Sequence, residues 1–331
     1  MSTEGSTKAV VAALLANTGI AVTKFLAFLL TGASSMLAEG IHSVADAGNQ
    51  CLLLLGGRQA RRRPTAEHPF GYGRERYIYA FLVSIVLFSV GGLFALYEAY
   101  HKGHELHVTH GHPDDSLLDS KWAWVPIVVL LAAIVMESFS LRTAMRETAQ
   151  VKGDATYLEF VRRAKQPELP VVLLEDVAAL CGLVFALLGV GLALLTNNLW
   201  FDVIGTALIG LLLVVVAIVL GIETKSLLLG ESASVDAEQR ITSALRGVDG
   251  IESVVHLKTM HLGPDELLVA AKVGFAADQR LLEVATATNV IEARVRQAVP
   301  TARVIYVEAD VYVDPAAAAP ATDAIVIKGL E

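Results

Sequence analysis

The stretch LPVVLLEDVAALCGLVFALLGVGLALL, residues 169–195, decides the fold. A helix needs roughly 20 consecutive mainly apolar residues to cross a bilayer core, and this run exceeds that. Its charged groups are Glu175 and Asp176 alone. Working outward, five more segments qualify, so the predicted spans run over about 9–30, 34–56, 77–100, 122–141, 169–195 and 199–222. The first is not read as a signal peptide. It lacks a small-residue cleavage site, and a second span follows almost at once across Thr31-Gly32-Ala33-Ser34. A link that short joins antiparallel neighbours.

The composition agrees. The chain has 331 residues, 54% hydrophobic and 18% charged, and a mean hydropathy of +0.55. Soluble domains run at about 25% charged residues, so a soluble core of this size would lack its polar shell. Disorder, a collagen-like fibre and a disulfide-rich module are excluded. A net charge of -8 argues against a nucleic-acid partner, because phosphate binding needs a basic face. The two cysteines, Cys51 and Cys181, each sit in an apolar run and read as ordinary buried thiols.

Lysine and arginine counts orient the chain. The loop after span two holds Arg58, Arg61, Arg62, Arg63, Arg74 and Arg76, and the stretch after span four holds Arg142, Arg146, Lys152, Arg162, Arg163 and Lys165. Between spans three and four stand only Lys102 and Lys121. Even-numbered spans therefore end inside, and both termini are cytoplasmic in a multi-pass protein of the cell (plasma or inner) membrane.

After Lys225 the pattern changes. Residues 236–246 read as an amphipathic helix with Ile241 and Leu245 on one face. Residues 251–260 and 266–275 read as strands joined through Gly263-Pro264, residues 280–298 as a helix and 302–309 as a third strand. The predicted architecture is an α-helical polytopic membrane protein with a small α+β unit of αββαβ, ferredoxin-like form. Its divisions are a six-helix transmembrane domain over 1–225, a cytoplasmic domain over 226–313 and a loose tail over 314–331.

Ionisable groups inside spans are costly and mark ion or proton pathways. Span two contains Glu39, His42, Asp46, Asn49 and Gln50; span four contains Glu137; span one contains Asn17 and Lys24. His42 and Asp46 are one helical turn apart and share a face. An imidazole and a carboxylate so placed can hold two corners of one divalent ion. Asn17, Lys24, Asn49 and Gln50 fit equally well a hydrogen-bond network tying helices together. Cys51 and Cys181 each follow an aspartate by five residues, about 140° around the helix, and so face elsewhere.

At these residues the sequence resembles the cation diffusion facilitators, or cation efflux proteins. The resemblance rests on Ser35-Met36-Leu37-Ala38-Glu39-Gly40-Ile41-His42-Ser43-Val44-Ala45-Asp46 entering span two and His68-Pro69-Phe70-Gly71-Tyr72-Gly73-Arg74-Glu75-Arg76 entering span three. It implies export of divalent metal in exchange for protons, by a homodimer. It also implies an ion site between helices two and five, on two residues four apart from each. His42, Asp46 and Asp176 match that pattern, but Val172 stands where the fourth ligand belongs and cannot ligate. Glu175, about 100° further around the helix, is the assisting candidate, directly or through water. This Leu-Glu-Asp version resembles a minority branch of the family.

Weaker metal candidates lie elsewhere. His68 with Glu67 offers a site before span three, although the family's usual Gly-His-Gly is Gly71-Tyr72-Gly73 here. In the cytoplasmic domain Val307 and Ala309 stand where the family's ligands fall, leaving His256, His261, Glu308 and Asp310. Glu137 is the remaining membrane candidate. The run His101, His104, His107, His110 and His112 lies outside between spans three and four, and reads either as a metal-collecting loop or as a solvated polar one.

The reading is therefore a non-enzymatic secondary transporter, without a prosthetic group, that exports divalent transition metal (zinc foremost; cobalt, iron(II) or manganese as alternatives) against protons. Two rivals stand beside it: a metal-sensing membrane protein that does not transport, and a proton-coupled exporter of organic cations.

Overall fold

The computed structural model describes residues 3–31, 34–109 and 124–312. The chain divides into two compact units, Met1–Leu229 and Gly230–Glu331.

The first unit is built from α1 (Thr3–Thr31), α2 (Ser34–Gln59), α3 (Glu75–Val86), a π-helical segment (Leu87–Leu93), α4 (Phe94–Val108), α5 (Val125–Val151), α6 (Tyr157–Arg163), α7 (Glu168–Thr196) and α8 (Trp200–Leu229). Segment α3, the π turn and α4 form one continuous rod, Glu75–Val108. The helices close into a ring. Helix α1 packs on α2 and α5, α5 on α7, α7 on α8, α8 on the α3–α4 rod, and α3 back on α2. The outward faces are apolar: Leu15, Leu29, Phe139, Leu195 and Ile222 are each more than half exposed. That surface suits lipid and would aggregate in water.

Among the described residues, four helices are long and apolar enough to cross a membrane: the Glu75–Val108 rod, α5, α7 and α8. The two helices at the start of the chain fall short of six full spans by that measure. The apolar part of α1 is the shorter Val10–Leu26, and α2 interrupts its apolar residues with Asp46, Asn49 and Gln50. Polar groups are what a transport helix must carry, so hydropathy is lowest where function is expected.

Small residues set the closest helix contacts. A Cβ on Gly205 of α8 would lie 2.9 Å from the Phe185 carbonyl oxygen of α7. One on Gly210 would lie 2.9 Å from the Leu96 backbone nitrogen of α4. Without a hydrophobic drive between helices in lipid, such backbone proximity supplies the packing energy.

Two elements depart from expectation. Helix α6 is absent from the predicted pattern. It is capped by Thr156, whose hydroxyl accepts from the Glu159 backbone N–H at 3.2 Å. The histidine run begins in a helix, not a loop: His101, His104 and His107 are the last turns of α4. His110, His112 and the tail 314–331 lie outside the described residues.

The second unit comprises α9 (Val235–Arg246), β1 (Ile251–Gly263), β2 (Glu266–Phe275), α10 (Leu281–Ala298) and β3 (Ala302–Val311). The sheet order is β1-β2-β3, with β1/β2 antiparallel and β2/β3 parallel. The parallel pair needs a crossover, and α10 supplies it. Alternate residues Leu267, Val269, Ala271 and Val273 of β2 turn to one buried face. Ile241 and Leu245 of α9 and Ile291 and Val295 of α10 cover that face. Ser234 starts α9 by accepting from the Ala237 backbone N–H at 3.3 Å.

Candidate functional site

Buried ionisable groups gather inside the helix ring. Asp46 of α2, Glu137 of α5, and Glu175 and Asp176 of α7 are all buried, with Lys24 of α1 beside them. Asp46, Glu137 and Asp176 stand within electrostatic reach of one another. The backbone of His42 lies on α2, one turn before Asp46; its side chain lies outside the described residues.

Helix α5 shows how the sequence builds this interior. Ala133, Glu137, Ser140, Ala144 and Thr148 are its buried stripe, recurring every three to four residues. Ser140 thereby faces α7, and its hydroxyl donates to Asp176 Oδ2 at 2.9 Å. Asp176 Oδ1 and Glu137 Oε1 are buried without a hydrogen-bond partner among the described residues. Glu168 Oε2, in the ion pair with Arg76, is likewise without a hydrogen-bond partner among the described residues. What distinguishes Asp176 and Glu137 is that they stand with Asp46 in an apolar interior, where such oxygens are rarely left unpaired. Ser140 escaped the reading of the sequence, although its position one turn from Glu137 on the same face was the available signal.

A cavity of about 40 Å³ opens among these groups, lined by Asn17, Lys24, Ser43, Asp46 and Glu137 on its polar side. It exceeds the roughly 10–15 Å³ that one water requires. Asp176 is within electrostatic reach but is not among the lining residues; its neighbours Ala178 and Ala179 are.

Glu175, expected to assist Asp176, is engaged elsewhere. Asn49 Nδ2 donates to its Oε1 at 2.8 Å and Gln50 Nε2 to its Oε2 at 2.8 Å. Asn17 Nδ2 donates in turn to Gln50 Oε1 at 3.3 Å. One residue of rotation, about 100°, carries Glu175 off the face of Asp176 and onto this amide network. Its present role is to tie α2 to α7.

The weaker candidates are not assembled for a metal. His68 stacks on Tyr72, with ring centroids 4.7 Å apart, and Arg62 caps the other ring 4.8 Å from its centroid. His261 is buried, with Nδ1 3.3 Å from the Gly263 carbonyl oxygen. Glu308 and Asp310 each lie 3.0 Å from the Lys272 ammonium, which occupies the place of a cation between them. That contact raises the Lys272 pKa, first through Glu308, and lowers that of Asp310. Among the described residues no three His, Cys, Asp or Glu side chains stand together as a metal cluster. Cys51 and Cys181, expected to be buried, are exposed on the outer faces of their helices. The same rotation that turns them from the aspartates turns them outward.

At the cytoplasmic ends predicted for spans three and five, Arg76 of α3 pairs with Glu168 of α7, and both are buried. Tyr77 donates to the Lys165 carbonyl oxygen at 3.2 Å alongside.

Residues 10–229 match the model of the cation efflux transmembrane domain. The chain is similar to the mitochondrial proton-coupled zinc antiporter SLC30A9 of Mus musculus, at 32% identity over 82% of this chain and 46% of that protein. It is also similar to metal tolerance protein C4 of Arabidopsis thaliana, at 28% identity over 82% of this chain and 57% of the relative. To the magnetosome protein MamM of Paramagnetospirillum magneticum it is 23% identical, over 76% of this chain and 72% of the relative. The chain thus spans about half the length of the zinc antiporter.

Proposed function

The chain belongs to the cation efflux family, and from that premise we propose that it exports divalent transition-metal ions from the cytoplasm in exchange for protons. The family is one of cation transporters, not enzymes. The observation that carries the proposal is the buried acid cluster: Asp46 on the cavity, with Asp176 Oδ1 and Glu137 Oε1 open in an apolar interior. No helix bundle gains stability from such groups without a cation or proton to match them.

In this reading His42, Asp46 and Asp176 hold the ion, with Glu137 near by. Two carboxylates balance the charge of one divalent ion, and a neutral imidazole adds a donor without adding charge. Metal binds the deprotonated ligands, so protons and metal compete for the same atoms. Facing the cytoplasm, the site loads metal; facing outward, protons displace it. Glu175, engaged by Asn49 and Gln50, ties α2 to α7 and is not counted among the ligands. Nitrogen and oxygen donors without thiolate suit zinc first and also cobalt, iron(II) and manganese. Zinc is further supported by the name of the SLC30A9 relatives.

We further propose six spans with both termini cytoplasmic, a homodimer, and residence in the plasma or inner membrane. The mitochondrial names of the relatives make the inner mitochondrial membrane the alternative, which fractionation distinguishes. The organic-cation rival is disfavoured by size and charge. The cavity at the acids, about 40 Å³, is far below the roughly 300 Å³ at which small-molecule pockets begin. The hollow of about 330 Å³ beside Leu141, Met145 and Tyr157 carries Arg142 and Arg146, which repel a cation.

The decisive experiment is flux in proteoliposomes across a panel of divalent ions with an imposed pH gradient. Proton-driven uptake of at least one ion, abolished in Asp176→Asn, is expected. Metal binding without flux in sealed vesicles would make the protein a sensor.

A further inference from the structure

Lys24 is a cation in the wrong place for a cation-binding site. It sits on α1, 3% exposed, and its ammonium donates to Ser43 Oγ at 2.9 Å. Ser43 precedes Asp46 by one helical turn on α2, so the ammonium is held on the face that carries the aspartate. Lys24, Ser43, Asp46 and Glu137 line the same cavity. Glu137 contributes there a buried oxygen with no hydrogen-bond partner among the described residues, and Lys24 lies within electrostatic reach of it. A buried ammonium survives only opposite negative charge, and the groups that oppose it are the acids proposed to serve the transported ion.

We propose that Lys24 is a tethered counter-ion of the transport cavity: its ammonium balances Asp46 and Glu137 when no divalent ion is bound, and the entering ion takes over that balance. The inference rests on the metal-site reading given above. A fixed positive charge beside a divalent ion weakens its binding. It also stabilises the empty cavity, which otherwise holds several acids and no cation. Both effects act in the same direction. They keep affinity low enough for the ion to leave, and they allow the empty carrier to reorient without a cargo. Lys24 is in this sense a positioning and affinity-setting residue, and touches no bond that forms or breaks.

The test uses the full chain in lipid nanodiscs with Zn²⁺ as the only added metal, read by calorimetric Kd and by the zinc-induced shift in Tm. Lys24→Gln keeps a donor for Ser43 and removes the charge. It should tighten zinc binding by at least about tenfold, since a nearby unit charge in a low-dielectric site has that reach. It should also lower the Tm of the empty protein while enlarging the zinc-induced shift. A purely structural lysine would lower both Tm values together. Lys24→Arg should bind zinc as the wild type does. Ser43→Ala, which removes the tether that holds the ammonium beside Asp46, should tighten zinc binding in the same direction as Lys24→Gln but by less, and serves where Lys24→Gln does not fold. Zinc binding by Lys24→Gln, or by Ser43→Ala, equal to or weaker than wild type overturns the inference. The underlying reading fails separately. It falls if the wild type and every cation in the panel give no binding, or if Asp176→Asn keeps wild-type affinity.

Discussion

Ser140 and Asp176 meet across the α5–α7 interface, hydroxyl to Oδ2 at 2.9 Å, and leave the other carboxylate oxygen buried with no hydrogen-bond partner among the described residues. The serine hydrogen bond restrains the aspartate side chain through one oxygen only. Asp176→Asn keeps the volume and the serine contact but loses the charge. Flux in proteoliposomes should be abolished while the elution profile stays that of a folded protein. Ser140→Ala should weaken metal affinity by roughly tenfold, as loss of an orienting partner does. Full flux in Asp176→Asn would move the site, with Glu137 the next acid.

Glu175 accepts one amide hydrogen bond on each oxygen. In Glu175→Gln the new N–H₂ meets one of those amides, which must flip to accept from it, and the charge that strengthened both hydrogen bonds is lost. The expected result is a destabilisation of roughly 1–3 kcal/mol, with metal Kd and protons moved per ion close to wild type. A tenfold change in Kd would instead put Glu175 on the ion.

His101, His104 and His107 end α4 on the side proposed for release. Replacing all three by alanine should leave vesicle uptake nearly unchanged, because metal reaches the cavity from the opposite side. Collapse of uptake would reverse the proposed orientation.

Lys272 between Glu308 and Asp310 predicts a flat-topped pH profile for the second unit. Asp310 has a lowered pKa, so its contribution is complete above the ordinary aspartate value of 3.8 and is lost as pH falls through the folded one. Lys272 has a raised pKa, so its contribution is complete below 10.5 and is lost as pH rises through the folded one. Denaturation of wild type and Lys272→Met should therefore differ by a small constant amount between those limits and converge outside them. The difference is small because the groups are in solvent and screened. A difference that varies across the middle of the range would assign the stability to other groups.

Gly205→Ala forces a methyl group toward the Phe185 carbonyl oxygen, 2.9 Å away. Separation of α7 and α8 should cost roughly 1–3 kcal/mol and lower the Tm of the solubilised protein. An unchanged Tm would show that the helix contact yields without loss.

Long apolar runs can be read from sequence because a bilayer demands them residue by residue. Helices α2, α7 and α8 begin within a residue of the predicted limits, while α5 and the α3–α4 rod run on by eight to ten mostly polar residues and α6 lies outside the predicted pattern. The weak points were α1, whose apolar part is only Val10–Leu26, and α2, where Asp46, Asn49 and Gln50 dilute the hydropathy. Alternation and turn chemistry likewise made the αββαβ order legible. Leu267, Val269, Ala271 and Val273 declare their face before any partner is known. Angular position on a helix was legible too, which is why the cysteines could be placed off the face of the aspartates.

What spacing could not decide was the partner that each buried group meets. Glu175 and Asp176 are neighbours in sequence, yet one faces Asn49 and Gln50 and the other faces Ser140. Lys272 neutralises acids on the adjacent strand, and Lys24 enters the cavity from another helix. A side chain's direction follows from its own backbone, within a few residues. Its partner is set by which helix or strand packs opposite and at what register, and that is a property of the folded tertiary contact alone.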